Sequence, residues 1–135
     1  MRWLVKEEPG SYSFADLERD GRTTWAGVRN PLAQKHLQSM KPGDLVFYYH
    51  TGSEKAVVGI ASVVSGPKPD PADRSGKLHV VDLAPVKRLR TAVTLAAIKA
   101  DPFFASFLLV RLPRLSVMPV GDGEWRAIEA MSRKR

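Results

Sequence analysis

Proline and glycine cut this chain into short pieces, and that punctuation limits the folds open to it. Pro9-Gly10 stops a strand-like start over Arg2 to Lys6, and Lys41-Pro42-Gly43-Asp44 is a turn. Gly66 to Gly76 is rich in proline, glycine and charge and reads as an exposed excursion. Ser13 is placed to cap a helix over Phe14 to Arg19, with Asp16 in its first turn and Gly21 at its end. Asn30 caps, and Pro31 opens, a second helix to about Met40, with Leu32, Ala33, Leu37 and Met40 on one stripe. Leu45 to Tyr49 and Ala56 to Val64 read as antiparallel neighbours across the loop His50 to Lys55. Leu78 to Leu89 is a long β-rich run, bent or at an edge at Pro85. Thr94 caps Leu95 to Ala100, which stops at Asp101-Pro102. Leu115 to Val120 is a short strand, and Asp122 caps a last helix burying Trp125, Ile128 and Met131. Phe103 to Leu112 is apolar and fits helix or strand equally. Short strands with helices inserted between them predict an α+β fold, a small mixed barrel.

At 135 residues the chain has the length of one ordinary domain, taken here as 1–135, and can bury a core without disulfide or metal support. Its 44% hydrophobic and 26% charged residues are those of a soluble globular protein. There is no cysteine, which excludes thiol nucleophiles and zinc–thiolate sites and fits a reducing, cytoplasmic setting. No apolar run approaches a membrane span, and charge arrives too early for a signal peptide. The net charge of +7 is unevenly spread. Residues 1–84 carry 11 basic and 10 acidic side chains, and residues 85–135 carry 10 and 4. Lys87, Arg88, Arg90 and Arg111 are the candidate phosphate contacts, with Arg114 and the tail Arg133-Lys134-Arg135 adding to the excess. Such a field is the footprint of a polyanion partner, or else a solubilising surface.

Most catalytic signatures are missing. The sequence has no phosphate-cradling glycine loop, no nucleophile elbow and no His-Glu-x-x-His. His36, His50 and His79 share no metal-ligand spacing, so neither metal nor cofactor is expected. His50 and Asp44 share a strand and an acid–base role is open to them, although a lone histidine at a strand end is ordinarily structural. Trp25-Ala26-Gly27-Val28-Arg29-Asn30 follows a polar, turn-rich run, which places the indole on a loop. Two placements are open to that ring: stacked on a planar ligand such as a nucleobase, or folded back onto the core. Lys6-Glu7-Glu8-Pro9 is a polar knot at a strand exit, either a base and phosphate contact or a local ion pair. Tyr48 and Tyr49 alternate faces of one strand, one toward the core and the other toward a pocket or the surface.

Taken in order, several segments resemble the EVE domain, a PUA-like family related to the YTH readers of methylated RNA. They are Trp3 to Pro9, Trp25 to Asn30, Met40 to Asp44, Phe47 to His50, Gly59 to Val64, Pro69-Asp70-Pro71 and Arg114 to Val120. The resemblance implies a twisted, mostly antiparallel β-barrel surrounded by short helices, with a pocket for a modified base flipped out of DNA or RNA. By position, Trp25 resembles the pocket's stacking wall, and Lys6 and Glu7 its floor. Val28, Arg29 and Asn30 match the adjoining loop and helix start, Tyr49, His50, Thr51, Pro69 and Asp70 the rim, and Arg114 and Ser116 the mouth. Glu7 stands where many relatives carry serine, and Ala26 where they carry an acid, so the preferred modification is not transferable. The implied activity is non-catalytic reading by a monomer, with any effector a separate protein. The alternatives are a general RNA-binding module, and a hydrolase of the related ASCH type using Lys6 with Glu7 or Glu8.

Overall fold

A computed structural model gives the structure and describes residues 1–134; Arg135 of the basic tail lies outside the described residues. The chain opens with β1 (Arg2–Glu7), α1 (Pro9–Tyr12), α2 (Phe14–Asp20), β2 (Thr23–Trp25) and α3 (Pro31–Gln38). Three longer strands follow, β3 (Leu45–His50), β4 (Ala56–Pro69) and β5 (His79–Thr94). Then come α4 (Leu95–Ala100), a 3₁₀ turn (Pro102–Phe104), α5 (Leu108–Arg111), β6 (Val117–Pro119) and α6 (Asp122–Ser132). No helix among the described residues is long and apolar enough to cross a membrane.

Helices start where a side chain can satisfy their free amides. Ser13 Oγ accepts from the Asp16 amide while the Asp16 carboxylate accepts from that of Ser13, and Gly21 ends the helix at φ 75°. Asn30 Oδ1 accepts from the Ala33 amide, and Thr94 Oγ1 from that of Ala97. At α6 the cap is Gly121 rather than Asp122, and Glu124 reaches back to the Gly121 amide. The undecided run Phe103 to Leu112 becomes the 3₁₀ turn and α5.

Three further sequence expectations change. Leu32 is 41% exposed, and the buried member of α3 beside Ala33 and Leu37 is Gln34. Its amide is fully used, donating to the carbonyls of Val28 and His79 and accepting from the His79 amide. β4 runs past Val64 to Pro69, which pairs with His79, so the first part of the excursion is strand. Trp25 lies not on a loop but at the end of β2, opposite Val81.

The strands form one sheet in the order β2-β5-β4-β3-β1-β6, with β1–β3 parallel and every other pair antiparallel. The sheet is curled into a half-barrel. In a flat sheet β2 and β3, three places apart, would sit about 14 Å from each other at ~4.8 Å per strand. Yet the rings of Trp25 and Tyr48 meet edge to face with centroids 5.4 Å apart. Four register shifts along β4–β5 and one along β3–β4 supply the bending. Both faces are covered, which is why Val46 to His50 are all buried. Phe14 and Trp25 pack on the concave side against Tyr48, while Trp125 of α6 stacks on Phe47 from the other, centroids 3.6 Å apart.

Asp82, 4% exposed, pins the β2 edge. It accepts from Arg22 (2.8 Å), Thr24 (2.8 Å), Ser65 (2.7 Å) and Lys68 (3.1 Å), joining β2, β4 and β5. Those bonds, that of Arg22 first, hold its carboxyl far below the usual carboxylate range. A depressed native pKa contributes stability that is complete above the unfolded value near ~3.9 and lost as pH falls below it. Asp82→Asn should therefore cost about 3 kcal/mol at neutral pH, and the gap to wild type should narrow as urea melts are repeated below pH 4. Gly59 is required for a different reason: a Cβ there would lie 2.5 Å from the Phe14 ring. Gly59→Ala should destabilise by about 1–3 kcal/mol, with part of the loss recovered in Gly59→Ala/Phe14→Leu, measured by the same melts.

Candidate nucleic-acid interface

Strand alternation divides the residues expected to share one pocket. Lys6 pairs with Tyr49 and Glu7 with His50 along the parallel β1–β3 ladder, so the two pairs point to opposite faces of the sheet. On one face Lys6 Nζ lies 5.6 Å from the Tyr49 ring centroid and donates to the Pro113 carbonyl at 2.8 Å. Burial lowers the Lys6 pKa below that of an ordinary lysine. On the other face Glu7 accepts from the Glu8 amide, and His50 sits beside Tyr48.

His50 is structural. Its Nε2 accepts from the Phe14 amide at 3.0 Å, and its Nδ1 lies 2.7 Å from Glu54 Oε1, which assigns the proton to Nδ1. At 6% exposure it is no rim residue. Trp25 is likewise 6% exposed, with the Tyr48 ring against it, so the uncovered indole expected for stacking is not what the structure holds. Val28 is buried as well. Pro69 and Asp70 lie at the end of β4 opposite to the turn that carries Thr51, and Asp70 accepts from the Ala72 amide.

What the structure does bring together is the start of α3 and the segment between α5 and β6. Asn30, Leu32, Leu112, Pro113, Arg114 and Leu115 line an open cleft of about 340 Å³. Its walls are aliphatic, with Leu32 and Leu112 left 41% and 40% exposed. Asn30 spends its oxygen on the α3 cap, which leaves its NH₂ free to donate. Arg114, and Arg29 next to Asn30 in the chain, are exposed and have no carboxylate partner among the described residues. Ser116 is joined to β1 through its carbonyl, which accepts from the Lys6 amide at 2.9 Å. Arg111, the last residue of α5, directly precedes Leu112. The aliphatic lining was missed in the sequence, where Leu32 reads as core and Leu112 as part of an undecided run.

The other expected phosphate contacts lie elsewhere. Lys87, Arg88 and Arg90 are on β5, separated from β1 by β4 and β3. Arg88 is engaged, bonded to Glu18 and held 5.7 Å over the Phe14 ring, while Lys87 and Arg90 are exposed. Since His50 holds an inner amide, His50→Ala should lower stability by about 1–3 kcal/mol in urea melts. Arg114→Ala and Arg29→Ala, changing exposed side chains, should leave it within about 0.5 kcal/mol.

The EVE domain family matches residues 1–131 of the chain. A solved structure from Rhodopseudomonas palustris is 44% identical, covering 97% of this chain and 92% of its own, with a TM-score of 0.93. Thymocyte nuclear protein 1 of Homo sapiens is 27% identical over 98% of this chain and 74% of its own length. A structure of that human protein in complex with 5-methylcytosine containing DNA superposes with a TM-score of 0.90 at 24% identity, covering 99% of this chain and 98% of its own. The ASCH protein of Zymomonas mobilis shares the fold more distantly, at 12% identity and a TM-score of 0.61, over 99% of this chain and 96% of its own.

Proposed function

This chain belongs to the EVE domain family, and from that premise we propose that it reads a modified base in nucleic acid without acting on it chemically. The observation that carries the proposal is the cleft between α3 and the α5–β6 segment. It is an aliphatic slot of small-ligand size with donors at its edge, in a chain whose net charge is +7. Leu32 and Leu112 are positioned as walls for a flat base, the Asn30 amide as a donor to its edge, and Arg114 and Arg29 as phosphate partners. The human relative solved with 5-methylcytosine containing DNA supports the same ligand class. The polar side chains lining the cleft, Asn30 and Arg114, are hydrogen-bond donors suited to a base edge and a phosphate, which favours reading over catalysis.

The energetics point to weak, modest discrimination. Extruding a base costs a few kcal/mol from a duplex and less from a single strand. Burying one added methyl contributes about 0.8 kcal/mol, or roughly four-fold in affinity. A sharper preference requires a polar substituent that answers the Asn30 donor. Trp25, in contrast, supports the fold, and Trp25→Ala removes core rather than a ligand platform.

Fluorescence anisotropy with matched single-stranded oligonucleotides, one cytosine differing only by a 5-methyl group, tests the reading. The expected result is a few-fold preference for the methylated strand, abolished by Leu112→Ser with the melting curve unchanged. Equal affinity of wild type for both strands, extended to a panel of polar modifications, would establish the general binder instead. Conversion of a modified nucleoside by the purified protein would establish the hydrolase.

A further inference from the structure

Across Pro113 from the base cleft lies a second one, on the face of the sheet that carries Tyr49. Its volume is about 290 Å³, and Lys6, Lys55 and Lys99 all line it. The three come from β1, the β3–β4 turn and α4. They are gathered because Ala56 pairs with Thr94, which sets the turn beside the start of α4. The Lys55 carbonyl accepts from the Leu95 amide at 2.8 Å, and Lys99 stands one helical turn beyond Leu95. Lys55 is also the one described non-glycine residue in the left-handed region, at φ 46°, a conformation that costs a lysine free energy and recurs at binding sites.

No carboxylate among the described residues pairs with any of the three ammonium groups. The acids nearest in the chain bond to other groups: Glu54 to His50 Nδ1, Glu7 to the Glu8 amide and Asp101 to the Phe103 amide, while Glu8 accepts from the Gly10 amide and from the hydroxyl of Thr51 at the rim of the cleft. Three like charges facing one hollow repel until an anion enters. Lys6 is the inner member, half-buried, with its pKa lowered by burial, and an arriving anion offsets that desolvation of its charge. The Lys6 bond to the Pro113 carbonyl sits at the boundary, since Pro113 lines both clefts.

We propose that Lys6, Lys55 and Lys99 form the phosphate track for the strand flanking the base held beside Arg114. The backbone then passes over Pro113 onto the Tyr49 face, not along β5. This assignment rests on the reading above for its ligand, and it adds two lysines that the sequence pattern does not single out.

The test is the salt dependence of binding to a short fluorescein-labelled single-stranded oligonucleotide. Each phosphate contact adds about 0.7 to the slope of log affinity against log salt for a single strand. Lys55→Ala/Lys99→Ala should therefore lower that slope by about 1.4 and weaken binding at low salt, with the urea melt unchanged because both side chains are exposed. Affinity for a modified nucleoside, which has no phosphate, should be the same in this variant as in wild type. An unchanged slope would overturn the track, as would loss of the slope in Lys87→Ala/Arg90→Ala instead. Absence of base preference in wild type alongside the predicted fall in slope would sink the reader and leave the track standing.

Discussion

The Tyr48 ring is the contact on which the curl of the sheet depends. Phe14, Trp25 and His50 each meet it edge-on, and its hydroxyl donates to the Tyr12 carbonyl. α1, α2, β2 and β3 are thus gathered on one side chain, and burial, helped by the nearby Glu7 charge, drives its pKa well above that of an ordinary tyrosine. Gly59 lies opposite in β4, and its missing side chain is the space the Phe14 ring occupies. The hollow of the half-barrel is therefore filled with aromatic rings. The cleft lined by Tyr49 lies on the other face of the sheet.

The edge strand β2 has only three residues, and two-strand pairing of that length is weak without help. The Asp82 cluster supplies the help by tying Arg22 and Thr24 to the bulged part of β4. From the end of β2 the chain runs directly through Val28 to the Asn30 cap, and Gln34 braces that passage against β5. The position of Asn30 is thus an outcome of edge anchoring, not of local loop structure.

Much of this was legible along the chain because its determinants are local. Ser13 with Asp16, Asn30 with Pro31, and Thr94 are each followed by the helix they announce. The family resemblance, too, is carried by short ordered segments. What escaped depends on partners far off in sequence. Trp25 reads as a loop residue because Val81, which makes it a strand, is remote. Leu32 fits a helical stripe, but Gln34 has backbone partners on two elements and takes the buried place. The division between Lys6 and Glu7 was available from period-two alternation, and grouping them by motif overrode it. Lys55 and Lys99 carry no shared signal at all, since only the Ala56–Thr94 pairing makes them neighbours.

All three tryptophans are enclosed: Trp3 under a bond from its indole to Asp44, Trp125 against Phe47, and Trp25 against Tyr48. Shielded indoles emit to the blue and lie out of reach of aqueous quenchers, and that is the emission expected of this chain. A spectral change on adding an oligonucleotide would then not signify stacking on an indole. A change arising from Trp25 would register displacement of β2, the edge element that carries it and leads to Asn30, and so report conformational coupling between the strand edge and the bound base.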